Sequence, residues 1–167
     1  GGLFYLDMRN GMFRALSEGD LPPETDPAWR RFELMRDSQS GMYILPGELS
    51  LTDAEGNRCS RTTDMIVDLG NANLLALFAF NQQVAECVAE VPAAVTEGEA
   101  PDGRKFRVLL PESTRMLGTY DFSGLPIVLL DSPMRLPGEG FLGTGFFAPF
   151  EAIIDFAHNR ILLREHP

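Results

Sequence analysis

Short apolar runs separated by turn-forming residues repeat along most of this 167-residue chain, and no other feature limits its fold as strongly. Asn10-Gly11 lies between β-prone flanks in LFYLDMRNGMFRAL, and a two-residue Asn-Gly connection is the strongest short signal for a β-hairpin. The polar segment DAEGN separates two further strand-length runs and predicts a second hairpin. Later runs of strand length are LLALFAF, AEVPAAV, RKFRVLL, RMLGTYDF, LPIVLLD, FEAIIDF and RILL. Many short strands with little helix predict a mostly β protein whose sheet is closed or strongly curved.

The charge balance argues against some classes of partner. The chain carries 24 acidic and 14 basic residues, a formal charge of -10, which repels a nucleic-acid backbone and an anionic membrane surface. No apolar run reaches the roughly twenty residues that cross a bilayer. We therefore expect neither nucleic-acid binding nor membrane insertion. The length suits one domain with a sizeable core.

The first 41 residues differ in character from the rest. The segment SEGDLPPETDPAW is acidic and rich in proline, as exposed connections often are. Asp26 followed by Pro27 is typical of a helix start and predicts a short helix over residues 27–36. The sequence thus predicts an N-terminal extension over residues 1–41 and a main domain over residues 42–167.

Cys59 and Cys87 are the two cysteines of the chain. They could form one disulfide in an oxidising compartment, although the pattern favours two free thiols, and their spacing matches no metal-binding motif. We expect no metal and no other cofactor. The sequence starts with two glycines rather than Met, so a signal peptide is not visible, and a periplasmic or secreted location is suspected.

Several common catalytic arrangements do not fit the chain. His158 lies in a polar turn and His166 is next to the last residue, so neither is placed to serve a Ser-His-Asp or Cys-His triad. Two scattered histidines and two distant cysteines do not make a zinc site. GEGFLG at residues 138–143 matches the dinucleotide fingerprint formally, but it lacks the surrounding βαβ unit. Carboxylates remain as the candidate catalytic groups.

The stretch MIVDLGNANLL places Asp68 directly after an apolar run and two residues before Gly70. A carboxylate on a tight loop has a shifted pKa, and two such carboxylates brought together share one proton and can polarise a water between them. The same local pattern also suits an aspartate that caps a turn by accepting backbone N–H groups. That use is the commoner one when the local pattern is taken alone.

Two segments resemble one enzyme family. IVDLGNANLLALF resembles the active-site loop of the retropepsin-like, or pepsin-type, aspartic proteases, in which an apolar strand leads into Asp-Thr-Gly or Asp-Ser-Gly. FLGTGFFAPFEAIIDFAHNRILL is similar to the closing segment of that family, and the likeness covers roughly residues 42–165 in the family's order. The resemblance implies a retropepsin-like closed β-barrel lobe with short helices near residues 27–36 and 144–150. It also implies an aspartic-type endopeptidase of the bacterial type.

The resemblance implies roles for individual residues. They are catalysis for Asp68, the active-site loop for Leu69, Gly70, Asn71 and Asn73, support beneath that loop for Leu142 and Gly143, and a substrate-covering flap for Gly98, Asp102 and Gly103 in TEGEAPDG. Asp155 takes a structural role on the closing strand. Peptides or proteins are the implied substrates.

The chain departs from the family at the residue after the aspartate. Leu69 stands where the family has Thr or Ser, whose hydroxyl stiffens the paired loops, and Ala72 stands where a second hydroxyl residue is usual. An amide from Asn71 or Asn73 is a possible substitute. The alternative function is therefore a catalytically impaired module that binds peptides or mediates dimerisation.

The family mechanism needs two aspartates, and the chain has one convincing Asp-x-Gly loop. Either two copies associate symmetrically and each supplies Asp68, or another lobe that precedes this one supplies the second carboxylate. FYLDMRNGMFRAL resembles IIDFAHNRILL in its order of apolar residues, Asp, a polar turn with Asn, and Arg. Residues 1–41 are thus either the tail of a preceding lobe or an unrelated hairpin.

Overall fold

A computed structural model describes residues 2–99, 105–131 and 135–166. Strands make up 47% and helices 12% of the structure, which confirms the mostly β class. The strands are β1 (Leu3–Asp7), β2 (Met12–Ala15), β3 (Arg30–Glu33), β4 (Met35–Arg36), β5 (Tyr43–Thr52), β6 (Arg58–Val67), β7 (Leu75–Phe78), β8 (Val95–Glu99), β9 (Lys105–Leu109), β10 (Ser113–Met116), β11 (Tyr120–Asp121), β12 (Ile127–Leu130), β13 (Gly140–Leu142), β14 (Phe150–Asp155) and β15 (Arg160–Glu165). The helices are α1 (Gln82–Glu90) and α2 (Thr144–Phe147), with 3-10 turns at Glu18–Asp20 and Pro92–Ala94.

The strands form two open sheets, so the predicted closed barrel is wrong. One sheet has the order β2-β1-β14-β15-β3. The other has the order β11-β10-β5-β6-β13-β7-β12-β9-β8, with β4 also paired to β5. Its β6–β13 and β7–β12 pairs are parallel, and the other pairs are antiparallel. Closure is not needed to bury the apolar side chains, because the two sheets and α1 cover one shared core.

The core explains how the sheets are held together. One cluster contains the fully buried rings of Phe78, Phe146, Phe147 and Phe150 together with apolar side chains from both sheets. A smaller cluster of Trp29, Ile153 and Leu162 lies on the opposite face of the five-stranded sheet. Successive side chains of a strand point to opposite faces, so β14 contributes to both clusters. No helix of the described residues is long and apolar enough to cross a membrane.

The hairpins predicted at Asn10-Gly11 and at DAEGN are both present. β1 and β2 pair antiparallel around Gly11, whose φ of 63° requires the left-handed conformation that glycine tolerates. β5 and β6 pair from Ile44 opposite Ile66 to Thr52 opposite Arg58. Each hairpin is therefore specified by local turn chemistry.

The predicted helix over residues 27–36 is wrong. The Asp26 side chain does cap the following turn, accepting the Ala28 N–H at 3.0 Å. The chain then continues as β3 and β4, and β3 pairs with β15. This pairing satisfies the backbone and places Trp29 in the smaller cluster, so tertiary contacts override the helix-start signal.

The predicted helix over residues 144–150 is shorter, ending at Phe147. The domain boundary after residue 41 stays a prediction.

Cys59 and Cys87 are joined in a disulfide rather than free. Cys87 lies on the buried face of α1, together with Val84 and Val88, and Cys59 lies on β6. The Asn81 side chain caps α1 by accepting the Gln83 and Val84 N–H groups, which fixes where the helix starts. The packing of α1 on β6 thus brings the two sulfur atoms together.

Replacing both cysteines by alanine is expected to lower the free energy of unfolding by about 3 kcal/mol and Tm by roughly 10 °C. The disulfide closes a loop with a sequence separation of 28, and its loss restores conformational entropy to the unfolded chain. Thermal unfolding of the variant and of the reduced native protein measures the change. Equal Tm values for the oxidised and reduced native protein would contradict this account.

Candidate active site

Asp68 begins the loop that joins β6 to β7. These strands are not neighbours, because β13 lies between them, parallel to β6 and antiparallel to β7. Leu142, the last residue of β13, is opposite both Val67 and Leu75. The loop over residues 68–74 must therefore pass over the end of β13. The topology thus sets Asp68 against Leu142 and Gly143.

Backbone hydrogen bonds tie this loop to the segment beneath it. The Asp68 N–H donates to the Leu142 carbonyl at 3.0 Å, and the Gly143 N–H donates to the Leu74 carbonyl at 3.1 Å. The Asn71 carbonyl accepts both the N–H of Thr144 at 2.7 Å and its hydroxyl at 3.1 Å. The loop is consequently fixed at both ends and in the middle. Thr144 was not among the predicted site residues, although a hydroxyl residue between two glycines after an apolar pair is a signal for it.

Gly143 is where the packing is tightest. A Cβ atom at this position would lie 2.1 Å from the Asn73 carbonyl oxygen and 2.5 Å from that of Asn71. The family resemblance predicts that Gly70 allows the tight loop, but Gly70 is less crowded than Gly143. A Cβ atom added at Gly70 would lie 3.2 Å from the Asp68 carboxylate, which is its nearest neighbour. The close approach of the two segments therefore depends on Gly143.

The Asp68 carboxylate is partly exposed at the surface of the loop. Its Oδ1 accepts the Gly70 N–H at 3.0 Å, which is a turn cap. Among the described residues, no other hydrogen bond reaches this carboxylate. A water-activating pair would require a second carboxylate from outside the described part of the chain, or one that approaches without a direct hydrogen bond.

The neighbours of Asp68 do not replace the missing hydroxyl. Leu69 is half-buried and packs against the main core. The Asn71 Oδ1 accepts the Asn73 N–H at 3.0 Å and the Asn73 side-chain amide at 2.9 Å. These two asparagine side chains therefore brace each other, and neither side-chain amide hydrogen-bonds to the Asp68 carboxylate.

One of the residues predicted to form a flap, Gly98, lies in the edge strand β8 of the large sheet. Gly98 is in β8, opposite Phe106 of β9. Asp102 and Gly103 lie outside the described residues, so the flap role stays a prediction. The part of the chain that the structure describes contains no group of three or more His, Cys, Asp or Glu side chains suited to a metal ion.

Asp155 lies at the turn between β14 and β15, and the residue is 1% exposed. Burial alone would raise its pKa, but hydrogen bonds from the His158 ring at 2.9 Å and from Arg160 Nε at 3.0 Å outweigh that effect and hold the pKa below its usual value. The carboxylate is thus ionised and committed to the turn.

The Asp155 pKa predicts how stability depends on pH. Because its pKa is lower in the folded protein, the stability it contributes is complete above the unfolded value of about 3.9 and is lost as pH falls through the lower folded value. We expect the free energy of unfolding to decline below about pH 4. Urea unfolding at a series of acidic pH values measures this free energy. We expect it to decline less in the Asp155→Asn variant than in the native protein. A decline already present near neutral pH would contradict the assignment.

Known protein structures with a similar fold were found for this chain, but no match at the level of sequence families. No protein-family model and no curated protein matches the chain. A retropepsin-like aspartic protease from Rickettsia conorii is similar in structure, with a TM-score of 0.51 and 13% identity over 82% of this chain and 92% of that one. Basic 7S globulin from soybean is similar with a TM-score of 0.53 and 13% identity, over 97% of this chain and 50% of the globulin. The chain thus has a fold similar to that of a retropepsin-like aspartic protease.

Proposed function

We propose that this chain is a lobe of an aspartic-type endopeptidase in which Asp68 is one of two carboxylates that activate water for peptide-bond hydrolysis. The observation that carries the proposal is the Asp68 loop, which is tied across the end of β13 by the Leu142 and Thr144 contacts. The structural similarity to a retropepsin-like aspartic protease supports the same reading. A loop held in this way keeps a carboxylate in one position relative to a partner.

In the proposed reaction, Asp68 and a partner aspartate hold one proton and one water between them. The ionised carboxylate takes a proton from the water as it attacks the scissile carbonyl, and the protonated carboxyl donates its proton to the carbonyl oxygen. Their roles exchange when the tetrahedral intermediate collapses. The peptide would lie extended and form β-type hydrogen bonds beneath the β8–β9 hairpin.

The partner carboxylate comes from a second copy of the chain or from another lobe. In either arrangement it lies across an approximate twofold axis from Asp68. The Cys59–Cys87 disulfide supports an oxidising location for the protein, such as the periplasm or the extracellular space.

The test is peptide cleavage by the protein expressed from its complete gene. We expect cleavage of an unfolded protein substrate at acidic pH, and we expect a statine-type inhibitor to block it. Mass spectrometry of the products identifies the cleaved bonds. Absence of inhibitor-sensitive cleavage at every pH at which the protein remains folded would overturn the proposal.

A catalytically impaired module that binds peptides or mediates dimerisation is the second candidate. Two observations favour it: Leu69 supplies no hydroxyl, and the Gly70 N–H caps the Asp68 carboxylate. Calorimetric titration of the same protein with the substrate peptides separates the candidates. Binding without turnover would support the module, and turnover would exclude it.

A further inference from the structure

Asp53 lies at the turn between β5 and β6, and the residue is 1% exposed. Its Oδ1 accepts the Glu55 N–H at 3.0 Å and the Asn57 N–H at 2.9 Å, which closes the turn. Its Oδ2 accepts the Asn57 side-chain amide at 3.0 Å and, from a segment 40 residues further along the chain, the Ala93 N–H at 3.3 Å. One oxygen therefore serves the turn alone, and the other also joins the turn to a distant segment.

The Asp53 carboxylate is ionised although it is buried. Burial would raise its pKa, but hydrogen bonds from Asn57 and Ala93 outweigh that effect and hold the pKa below its usual value. Hydrogen bonds to an ionised acceptor are stronger than those between neutral groups. The bond to the Ala93 N–H is therefore a charge-assisted contact between two separate parts of the chain.

The segment that contains Ala93 is the root of the β8–β9 hairpin. Ala93 lies in the 3-10 turn Pro92–Ala94, which runs directly into β8. The Ala94 carbonyl accepts the Leu110 N–H at 2.8 Å, so the residue after β9 is attached to the same turn. Both strands of the hairpin are thus attached to a turn that the β5–β6 hairpin holds.

Two other contacts fix the helix that precedes this turn. The Cys59–Cys87 disulfide and the Arg61–Glu90 ion pair both join β6 to α1. Both contacts lie before the end of α1, whereas Ala93 is two residues before β8 begins. Of the three contacts, the one made by Asp53 therefore lies nearest to the hairpin along the chain.

β8 has little other support, because it is an edge strand. β9 pairs with both β8 and β12, but β8 pairs with β9 alone among the described strands. β8 has five residues, and a strand of that length spans about 17 Å. A small rotation at the root consequently moves the far end of β8 by more than it moves the root. The position of β8 thus depends on how firmly the root is held.

We propose that Asp53 is a positioning residue for the β8–β9 hairpin, whose root it holds through the Ala93 N–H so that the edge strand meets an extended peptide in one position. This inference rests on the proposed function, in which the peptide lies beneath this hairpin. Asp53 contacts neither the peptide nor the reacting atoms and acts through the root of β8. Loss of its bond to Ala93 weakens peptide binding and leaves the chemical step unchanged.

Asp53→Asn separates the roles of the two carboxylate oxygens. The amide keeps one oxygen, which can still accept the Glu55 and Asn57 N–H groups, and places an NH2 group where the Ala93 N–H now has an acceptor. The double variant Asp53→Asn with Asn57→Asp is the matched control. It restores a carboxylate–amide pair inside the turn but not the acceptor for Ala93, so it repairs only an effect that comes from the turn alone.

Hydrogen exchange followed by NMR measures how firmly the hairpin is held. The bond between Leu110 and Ala94 marks a hydrogen-bonded pair, and such pairs alternate along the ladder, so the Thr96 and Val108 amides donate within the hairpin. We expect both amides to exchange roughly tenfold faster in Asp53→Asn and in the double variant than in the native chain. The amides of β14, in the other sheet, should be unchanged.

Peptide affinity is the second measurement. With protein expressed from its complete gene, we expect KM for one cleaved peptide to rise about fivefold in both variants and kcat to stay within about twofold. Such a split is expected when a contact that binds the ground state and the transition state equally is lost. Thermal unfolding at the assay pH verifies that each variant is folded at the assay temperature.

The outcomes separate the possibilities. Native exchange rates at Thr96 and Val108 in Asp53→Asn would overturn the proposal, and so would rates that the double variant restores. Faster exchange with an unchanged KM would overturn it as well, because Asp53 would then stabilise the hairpin without positioning it for a peptide. If the native protein cleaves no peptide, the proposed function fails, while the exchange rates still decide whether Asp53 holds the hairpin and the Kd from calorimetric titration replaces KM.

Discussion

Asp68→Asn is expected to reduce peptide cleavage by the protein expressed from its complete gene at least about a thousandfold. An amide cannot take a proton from the attacking water, so the step that the carboxylate performs is lost. The fold should remain, because the amide oxygen can still accept the Gly70 N–H that Asp68 now accepts. We expect the free energy of unfolding to change by less than about 1 kcal/mol. Initial rates with one cleaved peptide and urea unfolding measure the two effects.

Asp121→Asn is the matched control. Asp121 accepts the N–H of Ser123 at 2.8 Å, in the same two-residue cap that Asp68 makes with Gly70, but it lies at the end of the β10–β11 hairpin. We expect cleavage by this variant to be unchanged. Cleavage by Asp68→Asn at the native rate, still blocked by the statine-type inhibitor, would show that Asp68 is only a turn cap.

Gly143→Ala is expected to lower the free energy of unfolding by at least about 4 kcal/mol. The added methyl group would lie between the carbonyl oxygens of Asn71 and Asn73, and both are backbone atoms that cannot rotate away. The loop over residues 68–74 would have to lift from β13 and lose its hydrogen bonds to Leu142 and Thr144. Urea unfolding measures the loss, and Tm should fall by more than about 10 °C.

Gly70→Ala provides the comparison within the same loop. Its added methyl group would contact the Asp68 carboxylate, a partly exposed side chain that can move. We expect a cost below about 1 kcal/mol. If the two alanine variants unfold at the same urea concentration, the packing of Gly143 against the loop is not what holds the site.

Features set by neighbouring residues were the ones that the sequence predicted correctly. The Asn10-Gly11 turn and the DAEGN turn produce hairpins because a few adjacent residues determine their geometry. The predicted helix over residues 27–36 is absent although its start signal is present. The Asp26 side chain accepts the Ala28 N–H, as a helix cap would. Pairing with β15 decides that segment, and a partner so distant in the chain leaves no local trace.

In the candidate site, too, features set by neighbouring residues were predictable and features set by distant segments were not. An aspartate between an apolar run and a glycine is visible in the sequence, and the structure places it on the loop that crosses β13. The crowding at Gly143 and the bracing of Asn71 by Asn73 depend on two segments meeting in space. Whether the sheets close, and whether Cys59 meets Cys87, are likewise set by packing between separate elements.

The insertion of β13 between β6 and β7 has a consequence for the order of folding. Residues 65–67 and 75–77 are synthesised well before the strand that fills the gap between them, which comes from residues 140–142. Contacts this distant along the chain form slowly, because a long loop must close before they repay its entropy. The loop over residues 68–74 can reach its final shape only after residues 140–142 have left the ribosome. A nascent fragment that stops before Gly140 would carry Asp68 without the geometry that the proposed chemistry requires.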